Sequence, residues 1–423
     1  MHLKTELMAA YASTRNTTEK LCSPLETEDY VIQTIADVSP PKWHLGHTTW
    51  FFERVILQEH QPGYQPCDER YYYIFNSYYQ SFGDRLRRDI RGTLSRPSVE
   101  KVYDYRKKVD DRLRAMVERA DERLVALVGP LIELGIHHEQ QHQELLITDI
   151  KYNFAANPLR PSYASSSEGT GGSADGVPPR FLHCPGGLVE TGYAGDGFAW
   201  DNERPRHKSF LSDFDIMNRP VTCGEYGEFI RDGGYEETLL WLSDGWDAAV
   251  TNRWQAPLYW EGDAAGGWRI TTLAGPRELR PEEPVTHLSF YEADAFARWA
   301  GARLPTEEEW EHAFHSLGGG EGTFLEDGAL HPRPAVEPRP AVPAQMLGDV
   351  WEWTGSAYRP YPGFRQAAGA LGEYNGKFMS GQMVLRGGSC ATPRSHIRPT
   401  YRNFFQPEKR WQFSGLRLAR DHT

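Results

Sequence analysis

Histidines recur in one short segment at a spacing that suits metal binding. Residues 137–144 read HHEQQHQE. On a helix, His138 and His142 lie one turn apart on the same side, and Gln141 shares that side. Two imidazoles in this arrangement can bind one cation. A solvated pair of helix histidines is the competing interpretation, and His137 could replace His138 as a ligand.

A third histidine lies in an aromatic segment. Residues 40–53 read PPKWHLGHTTWFFE, which places bulky side chains around His47 on a helix. A histidine on such a face is more often a hydrogen-bonded core residue, but the pair of His138 and His142 elsewhere in the bundle favours a ligand. His44 competes with His47 for this role. Glu139 and Glu144 could orient the imidazoles through hydrogen bonds.

The ligand set alone does not name the metal, because imidazole suits zinc, iron, copper and nickel. Three neutral ligands would leave an octahedral Fe(II) three open positions, where a thiolate, a substrate nitrogen and dioxygen could bind side by side. Zinc would prefer four-coordination with a single open position.

The N-terminal part of the chain, which carries these histidines, has a helical pattern. Apolar residues recur at spacings of three and four between about residues 7 and 157, which is typical of amphipathic helices. Pro130 fits the first turn of a helix, so we predict a new helix over Leu131–Tyr152. Several long helices joined by short turns indicate a four-helix bundle over residues 1–160.

The sequence changes character after this bundle. Residues 161–179 are rich in Ser, Gly and Pro, which predicts a linker. Over residues 180–423 the apolar runs shorten and glycine-containing turns become frequent, which favours an irregular α+β domain over a parallel sheet. Helices are predicted over Thr222–Arg231, Phe290–Ala300 and Thr306–Phe314, the last with a capping box at its start.

The composition limits the class of protein. A length of 423 residues favours two domains, and the net charge of −12 argues against general binding to nucleic acid or anionic membranes. Five scattered cysteines without a CxxC pair indicate a reducing compartment. We find no secretory signal and no apolar stretch approaching roughly 18 residues, so we expect a cytoplasmic protein without a membrane span.

The motifs together resemble one family, the ergothioneine-biosynthetic sulfoxide synthases. The matching segments are WHLGHTTWFFE and HHEQQHQE in the first part of the chain and RLPTEEEWE, GDVWEWT, RGGS and YRNFF in the second. The resemblance covers nearly the whole chain except the linker. It implies a DinB-like helix bundle followed by a domain related to formylglycine-generating enzyme, with a C-type-lectin-like fold. The implied fold class is multidomain, α and α+β.

The resemblance also implies a reaction. Family members use Fe(II), dioxygen, hercynine (trimethylated histidine) and a thiol, either cysteine or γ-glutamylcysteine. They form a carbon–sulfur bond at the imidazole oxidatively, with sulfoxidation. Carried over by position, the metal ligands match His47, His138 and His142.

Several other positions match substrate-binding residues of the family. Gln141 matches a residue that contacts the hercynine imidazole, and Asn403 matches one at the hercynine carboxylate. Phe404 and Phe405 could stack on the trimethylammonium group. Packing in a core is the competing interpretation for these two rings.

Two departures from related patterns bear on the chemistry. Some family members place an Asp and an Arg shortly after the RNF segment to hold a γ-glutamyl arm, whereas residues 404–409 here read FFQPEK. The missing Asp favours free cysteine as the donor. Formylglycine-forming relatives use a pair of cysteines after RGGS, but here only Cys390 follows, which argues against a copper–thiolate site.

The residues expected to deliver protons and to bind the thiol substrate lie between residues 78 and 96. Tyr78 and Tyr79 resemble a tyrosine pair of one family branch, and a phenol can donate a proton as dioxygen is reduced. Arg91 and Arg96 follow in an arginine-rich loop, where one of them could bind a cysteine carboxylate through two hydrogen bonds.

Four alternatives remain open from the sequence. One is a zinc-dependent thiol transferase or hydrolase of the DinB-like class. Another is a lectin-like binding module fused to a structural bundle. Within the iron enzymes, an ovothiol-type synthase acting on histidine or a selenoneine-type synthase would carry similar motifs. The oligomeric state is not predicted.

Overall fold

The computed structural model of the chain describes residues 2–77, 79–164, 176–263, 266–336, 341–366 and 375–422. These residues divide into an N-terminal unit that ends at Tyr163 and a C-terminal unit that begins at Ala164. Most of the predicted linker, residues 165–175, lies outside the described residues.

The N-terminal unit is helical. Its helices are α1 (His2–Cys22), α2 (Pro41–Phe52), α3 (Gln58–His60), α4 (Tyr71–Ile74), α5 (Val99–Arg119) and α6 (Glu122–Ala156). Helix α1 packs against α6, and α2 packs against both α5 and α6. The four long helices therefore form a bundle, and α2 and α6 carry the histidine segments.

The prediction that Pro130 begins a helix is wrong. Helix α6 begins at Glu122, where the side chain of Asp121 accepts a hydrogen bond from the backbone N–H of Leu124 at 2.8 Å. Pro130 lies inside the helix, which costs a backbone hydrogen bond. Buried Val128 and Ile132 continue the apolar stripe on both sides of the proline. Packing of that stripe outweighs the local cost.

The C-terminal unit combines small sheets with short helices. Its strands are β1 (Phe181–Cys184), β2 (Gly187–Thr191), β3 (His207–Leu211), β4 (Phe214–Met217), β5 (Trp260–Asp263), β6 (Gly267–Thr272), β7 (Gly275–Glu278), β8 (Trp351–Ala357), β9 (Met383–Arg386), β10 (Asn403–Phe405), β11 (Ser414–Leu416) and β12 (Ala419–Asp421). The strands form sheets in the orders β1-β4-β12, β10-β9-β8-β11, β2-β3 and β5-β6-β7. Pairing is antiparallel except between β8 and β11.

Three of the four helices described in this unit begin after a residue whose side chain caps them. The four are α7 (Cys223–Arg231), α8 (Ser243–Asn252), α9 (Phe290–Trp299) and α10 (Glu307–Leu317). The predicted capping box of α10 is confirmed, because Thr306 and Glu309 bond reciprocally to each other's backbone N–H. Helix α8 was not predicted: its first residue follows Leu242, which offers no side-chain cap.

The core of the C-terminal unit combines apolar packing with buried ion pairs. Trp310, Phe214 and Met346 belong to one apolar cluster. Beside it, Arg417 and Glu352 form a fully buried pair at 2.8 Å. Such a pair costs desolvation energy and specifies side-chain positions more than it adds stability. Across the described part of the chain, no helix is long and apolar enough to cross a membrane.

Candidate metal centre

Three histidines from two helices meet inside the N-terminal bundle. One ring nitrogen from each of His47, His138 and His142 lies within 4.8 Å of the others. The Nε2 atoms of His47 and His138 are 3.3 Å apart. All three side chains are buried. We call these residues the histidine group.

His47 is fixed by aromatic stacking and by one hydrogen bond. Its ring lies between those of Trp43, at 4.6 Å, and Trp50, at 5.5 Å between centroids, and it is nearly parallel to both. These tryptophans lie at i−4 and i+3, so they share its face of α2. The Nδ1–H donates to the Phe75 carbonyl at 2.6 Å. The Nε2 lone pair is thereby directed towards His138.

Two glycines allow the helices to approach closely enough for this meeting. A Cβ atom at Gly135 of α6 would lie 2.4 Å from the ring of Phe52 on α2. At Gly46, next to His47, a Cβ atom would lie 2.1 Å from the ring of Phe75. A side chain at either position would force the facing phenylalanine ring or the helix itself to move.

His142 is oriented by a chain of hydrogen bonds that ends on a carboxylate. Its Nδ1 lies 2.9 Å from Nδ1 of His44, and Nε2 of His44 lies 3.0 Å from Asp149 Oδ2. The backbone N–H of Ser39 donates to the same oxygen at 2.8 Å. Because the carboxylate accepts, His44 donates from Nε2, and in its neutral form accepts at Nδ1 from His142. This tautomer leaves the Nε2 lone pair of His142 available.

His44 thus lies outside the histidine group, although the sequence left it as an alternative to His47 as a metal ligand. It contacts His142 and Asp149, while His47 belongs to the histidine group. Asp149 had no signal in the sequence, because it lies 105 residues from His44 and no motif includes it. The Phe75 carbonyl was equally hidden, since any residue carries one.

Burial keeps the histidine group uncharged. It lowers the pKa of His47 and His142 well below the ordinary value, and the neighbouring imidazoles lower it further. Burial also lowers the pKa of His138 to about 3. Neutral imidazoles are the form that binds a metal ion. The group can therefore accept a cation without first losing protons.

Glu139 does not orient an imidazole, contrary to expectation. Its carboxylate accepts hydrogen bonds from Arg15 at 2.8 Å, from Thr18 at 2.6 Å and from Arg106. Burial alone would raise the pKa of Glu139, but the guanidinium groups of Arg106 and Arg15 outweigh it and hold the pKa at about 2. Glu139 therefore joins α1, α5 and α6 beneath the histidine group.

The tyrosines and arginines predicted to act nearby have different environments. Tyr78 lies outside the described residues. Tyr79 is buried, with its ring 5.7 Å from that of Trp50. Arg91 is buried with its guanidinium 3.4 Å from the centroid of Trp43, which stacks on His47. Its positive charge contributes to the lowered pKa of His47.

Arg96 and Gln141 are the remaining residues of the N-terminal unit that were predicted to bind substrates. Arg96 is exposed and donates to the Ser95 carbonyl at 3.0 Å. Of the two arginines, Arg91 is therefore the one placed beside the histidine group. Gln141 is half-buried on α6, in the turn between His138 and His142.

The remaining predicted residues lie together on β10 of the C-terminal unit. Asn403, Phe404 and Phe405 are all partly buried. Phe404 stacks on Tyr358 at 4.1 Å between centroids. Phe405 packs edge-on against Trp411 at 5.4 Å. Both rings have partners within their own unit, and each keeps part of its surface accessible.

Two protein-family models match the chain, one in each of its two parts. Residues 10–146 match the model of the DinB superfamily, and residues 171–422 match that of the sulfatase-modifying factor enzyme 1-like domain. The predicted fold class, a DinB-like bundle with a domain of the formylglycine-generating type, is confirmed.

Relatives of similar length cover both parts. The chain is 33% identical to the hercynine oxygenase of Mycobacterium tuberculosis, with 91% of each chain covered. It is 34% identical to that of Mycolicibacterium smegmatis, again over 91% of each chain. For the enzyme of Mycolicibacterium thermoresistibile the identity is 33%, over 99% of this chain and 95% of the relative. The chain belongs to the hercynine oxygenase family.

Proposed function

We propose that this protein is an iron-dependent sulfoxide synthase that joins hercynine to cysteine with dioxygen, a step of ergothioneine biosynthesis. The observation that carries the proposal is the buried group of three neutral histidines in a chain related over its length to hercynine oxygenases. The metal, the thiol and the residue roles below are parts of this proposal.

The histidine group fits a first-row divalent ion. Ligand atoms about 2.1 Å from one ion lie roughly 3.0 to 3.4 Å apart when they are neighbours in octahedral or tetrahedral geometry. The 3.3 Å between His47 Nε2 and His138 Nε2 falls in this range. The Phe75 carbonyl and the His44–Asp149 pair orient the other side of two of the rings. His47, His138 and His142 would hold the ion.

Bound Fe(II) would supply the redox chemistry, since it can bind a thiolate and dioxygen at adjacent open positions. Overall, the hercynine C–H and the thiol S–H bonds break, and a C–S bond and an S=O bond form. Dioxygen takes four electrons: one oxygen atom enters the sulfoxide, and the other leaves as water with the two protons. The protein must therefore hold both organic substrates and control where protons are delivered.

Arg91 is the side chain best placed to bind the carboxylate of cysteine. It is buried, it carries a fixed positive charge, and it lies on the ring of Trp43 beside His47. Its contacts with Ser39 Oγ at 2.9 Å and Ser77 Oγ at 3.3 Å hold the guanidinium in place.

A neutral ligand set also leaves the ion's double charge available to stabilise a thiolate.

Hercynine would be recognised by Gln141 through its imidazole and by Asn403 through its carboxylate. Phe404 and Phe405 offer aromatic surface to the trimethylammonium group. The segment after them lacks an Asp for a γ-glutamyl arm. We therefore expect cysteine to be the donor.

Anaerobic reconstitution tests the function directly. Protein loaded with Fe(II) would receive hercynine and cysteine, then air, and the product would be identified by mass spectrometry. We expect the sulfoxide-linked conjugate, and none with zinc-loaded protein. If zinc-loaded protein acts on a thiol substrate while the iron form stays inactive, the protein is instead a thiol transferase.

The choice of donor needs a separate comparison. Oxygen consumption with cysteine and with γ-glutamylcysteine, at saturating hercynine, gives kcat/KM for each thiol. We expect the higher value for cysteine. A higher value for the dipeptide would mean that another part of the site binds the glutamyl arm, and the assignment of cysteine would fail.

A further inference from the structure

A second set of metal-type ligands lies on one face of the β1-β4-β12 sheet, in the C-terminal unit. Asp215 on the central strand β4 faces His183 on β1 and Arg420 on β12, as the strand register requires. His422 lies two residues after Arg420, so it returns to the same face. The topology thus brings two histidines to one carboxylate from distant parts of the sequence.

Both imidazoles converge on the same oxygen atom. Nδ1 of His422 lies 3.0 Å from Asp215 Oδ1, and Nδ1 of His183 lies 3.4 Å from it. The two rings are 4.1 Å apart between centroids. Ligand atoms about 2.0–2.1 Å from a tetrahedral zinc ion are separated by roughly 3.3 Å. Both nitrogen–oxygen distances are close to this spacing, and one ligand atom from each of the three residues lies within 4.8 Å of the others.

The surroundings hold the carboxylate in this orientation. Arg420 Nε donates to the other oxygen, Oδ2, at 2.9 Å and leaves Oδ1 for the histidines. The side chain of Asp215 is 8% exposed, whereas those of His183 and His422 are 42% and 44% exposed. The carboxylate is thus fixed from below while an ion can reach the imidazoles from solvent. Asp213, with Oδ2 3.9 Å from His183 Nε2, adds negative charge.

We propose that His183, Asp215 and His422 form a zinc-binding site separate from the histidine group. Two imidazole nitrogens and one carboxylate oxygen suit zinc, and a water molecule would complete four-coordination. Binding would replace the protons that the imidazoles share with Asp215 Oδ1. Because the ligands come from strands β1 and β4 and from the residue after β12, the ion would cross-link the three strands.

Zinc titration of the full-length, chelator-treated protein tests the site. A double variant, His183→Gln/His422→Gln, keeps amide donors for Asp215 but removes both nitrogen ligands. We expect the wild type to bind one more zinc ion per chain than this variant in competition with a chromophoric chelator, or to bind that ion at least tenfold more tightly. Co(II) in place of zinc should give a four-coordinate contribution in the difference spectrum of the wild type minus the variant, because Co(II) at the histidine group absorbs in both proteins.

A matched pair of substitutions controls for nonspecific binding to surface histidines. His60→Gln/His207→Gln removes two partly exposed histidines outside the site and should leave the zinc stoichiometry unchanged. Circular dichroism would verify that every variant is folded. Equal stoichiometry and affinity in the wild type and His183→Gln/His422→Gln would overturn the proposal and leave these residues as ordinary ion pairs. An equal loss in the control pair would overturn it as well.

Discussion

The two groups of metal-type ligands in the described part of the chain differ in burial, in ligand type and in the secondary structure that carries them. The histidine group is buried, contains three imidazoles and lies between helices. The group around Asp215 is open to solvent, contains a carboxylate and lies on a sheet. In the first, stacking and hydrogen bonds fix the rings before any ion binds. In the second, Arg420 holds the carboxylate, and the two imidazoles are partly exposed to solvent.

The difference suits the histidine group to the reactive use of a metal that we propose, and the group around Asp215 to a structural one. Neutral, buried ligands leave an ion with its full charge and with open positions, which suits activation of bound substrates. An exposed group with a carboxylate neutralises part of the charge and offers water as the remaining ligand.

The largest effect should follow from loss of one buried ligand. We expect His138→Ala to lower iron affinity by more than the roughly 100-fold that loss of an outer hydrogen bond can cost, and to abolish sulfoxide formation. Zinc binding at Asp215 should not change. Metal analysis and oxygen consumption give the two readouts, with His60→Ala as control. Iron retained at wild-type affinity would show that His138 is not a ligand.

Removal of the charge beneath the histidine group should reduce stability. Glu139→Gln removes the fully buried carboxylate that Arg15 and Arg106 share and leaves them with the more exposed Asp110 and Glu19. Breaking a buried pair costs up to about 3 to 5 kcal/mol, so we expect a loss of stability within this limit. The free energy of opening, from hydrogen exchange of α6 amides in metal-free protein, measures this cost. Glu133→Gln, exposed on the same helix, is the matched control. A change of under about 1 kcal/mol would mean that the arginines find other partners.

The hydrogen-bond chain behind His142 should have an intermediate effect. Asp149→Asn removes the charged acceptor of His44 and so weakens control of the His142 tautomer. We expect Fe(II) affinity to fall about 10- to 100-fold, measured by anaerobic competition. Asp110→Asn, which alters a carboxylate bonded to Tyr11 and Arg15, should leave affinity near the wild-type value. If both variants weaken iron equally, the chain has no specific role.

The smallest effect concerns the product rather than binding. Tyr79→Phe keeps the ring beside Trp50 and removes the hydroxyl. If Tyr79 delivers a proton during dioxygen reduction, sulfoxide formation should slow and more cysteine sulfinate should form. A barrier difference of about 1.4 kcal/mol changes the product ratio tenfold. If Tyr79→Phe keeps the wild-type rate and the wild-type ratio of sulfoxide to sulfinate, measured by mass spectrometry, the proton comes from Tyr78 or from water.

The sequence predicted the parts of the site that depend on local spacing. His138 and His142 lie one helical turn apart in any register, and the aromatic residues around His47 follow from i−4 and i+3 positions on α2. The predicted helix starts at Thr222 and Thr306 are local signals too, and these residues cap α7 and α10.

Features that depend on packing could not be read from the sequence. Pro130 is a helix breaker by itself, and only the tertiary burial of its neighbours keeps α6 continuous. Glu139 is one residue from His138, yet its partners come from other helices. The convergence of His183 and His422 on Asp215 requires the order of strands in a sheet. Each case rests on contacts between distant residues.

The members of the histidine group come from distant parts of the sequence, so a bound ion would stabilise the folded state. His47 and His138 are 91 residues apart, so an ion that binds both closes a long loop as a cross-link would. An ion at 100 times its dissociation constant stabilises the native state by about 2.7 kcal/mol if the unfolded chain does not bind it. If the ion is iron, as we propose, a cell short of iron would hold a bundle that opens more often and is degraded sooner.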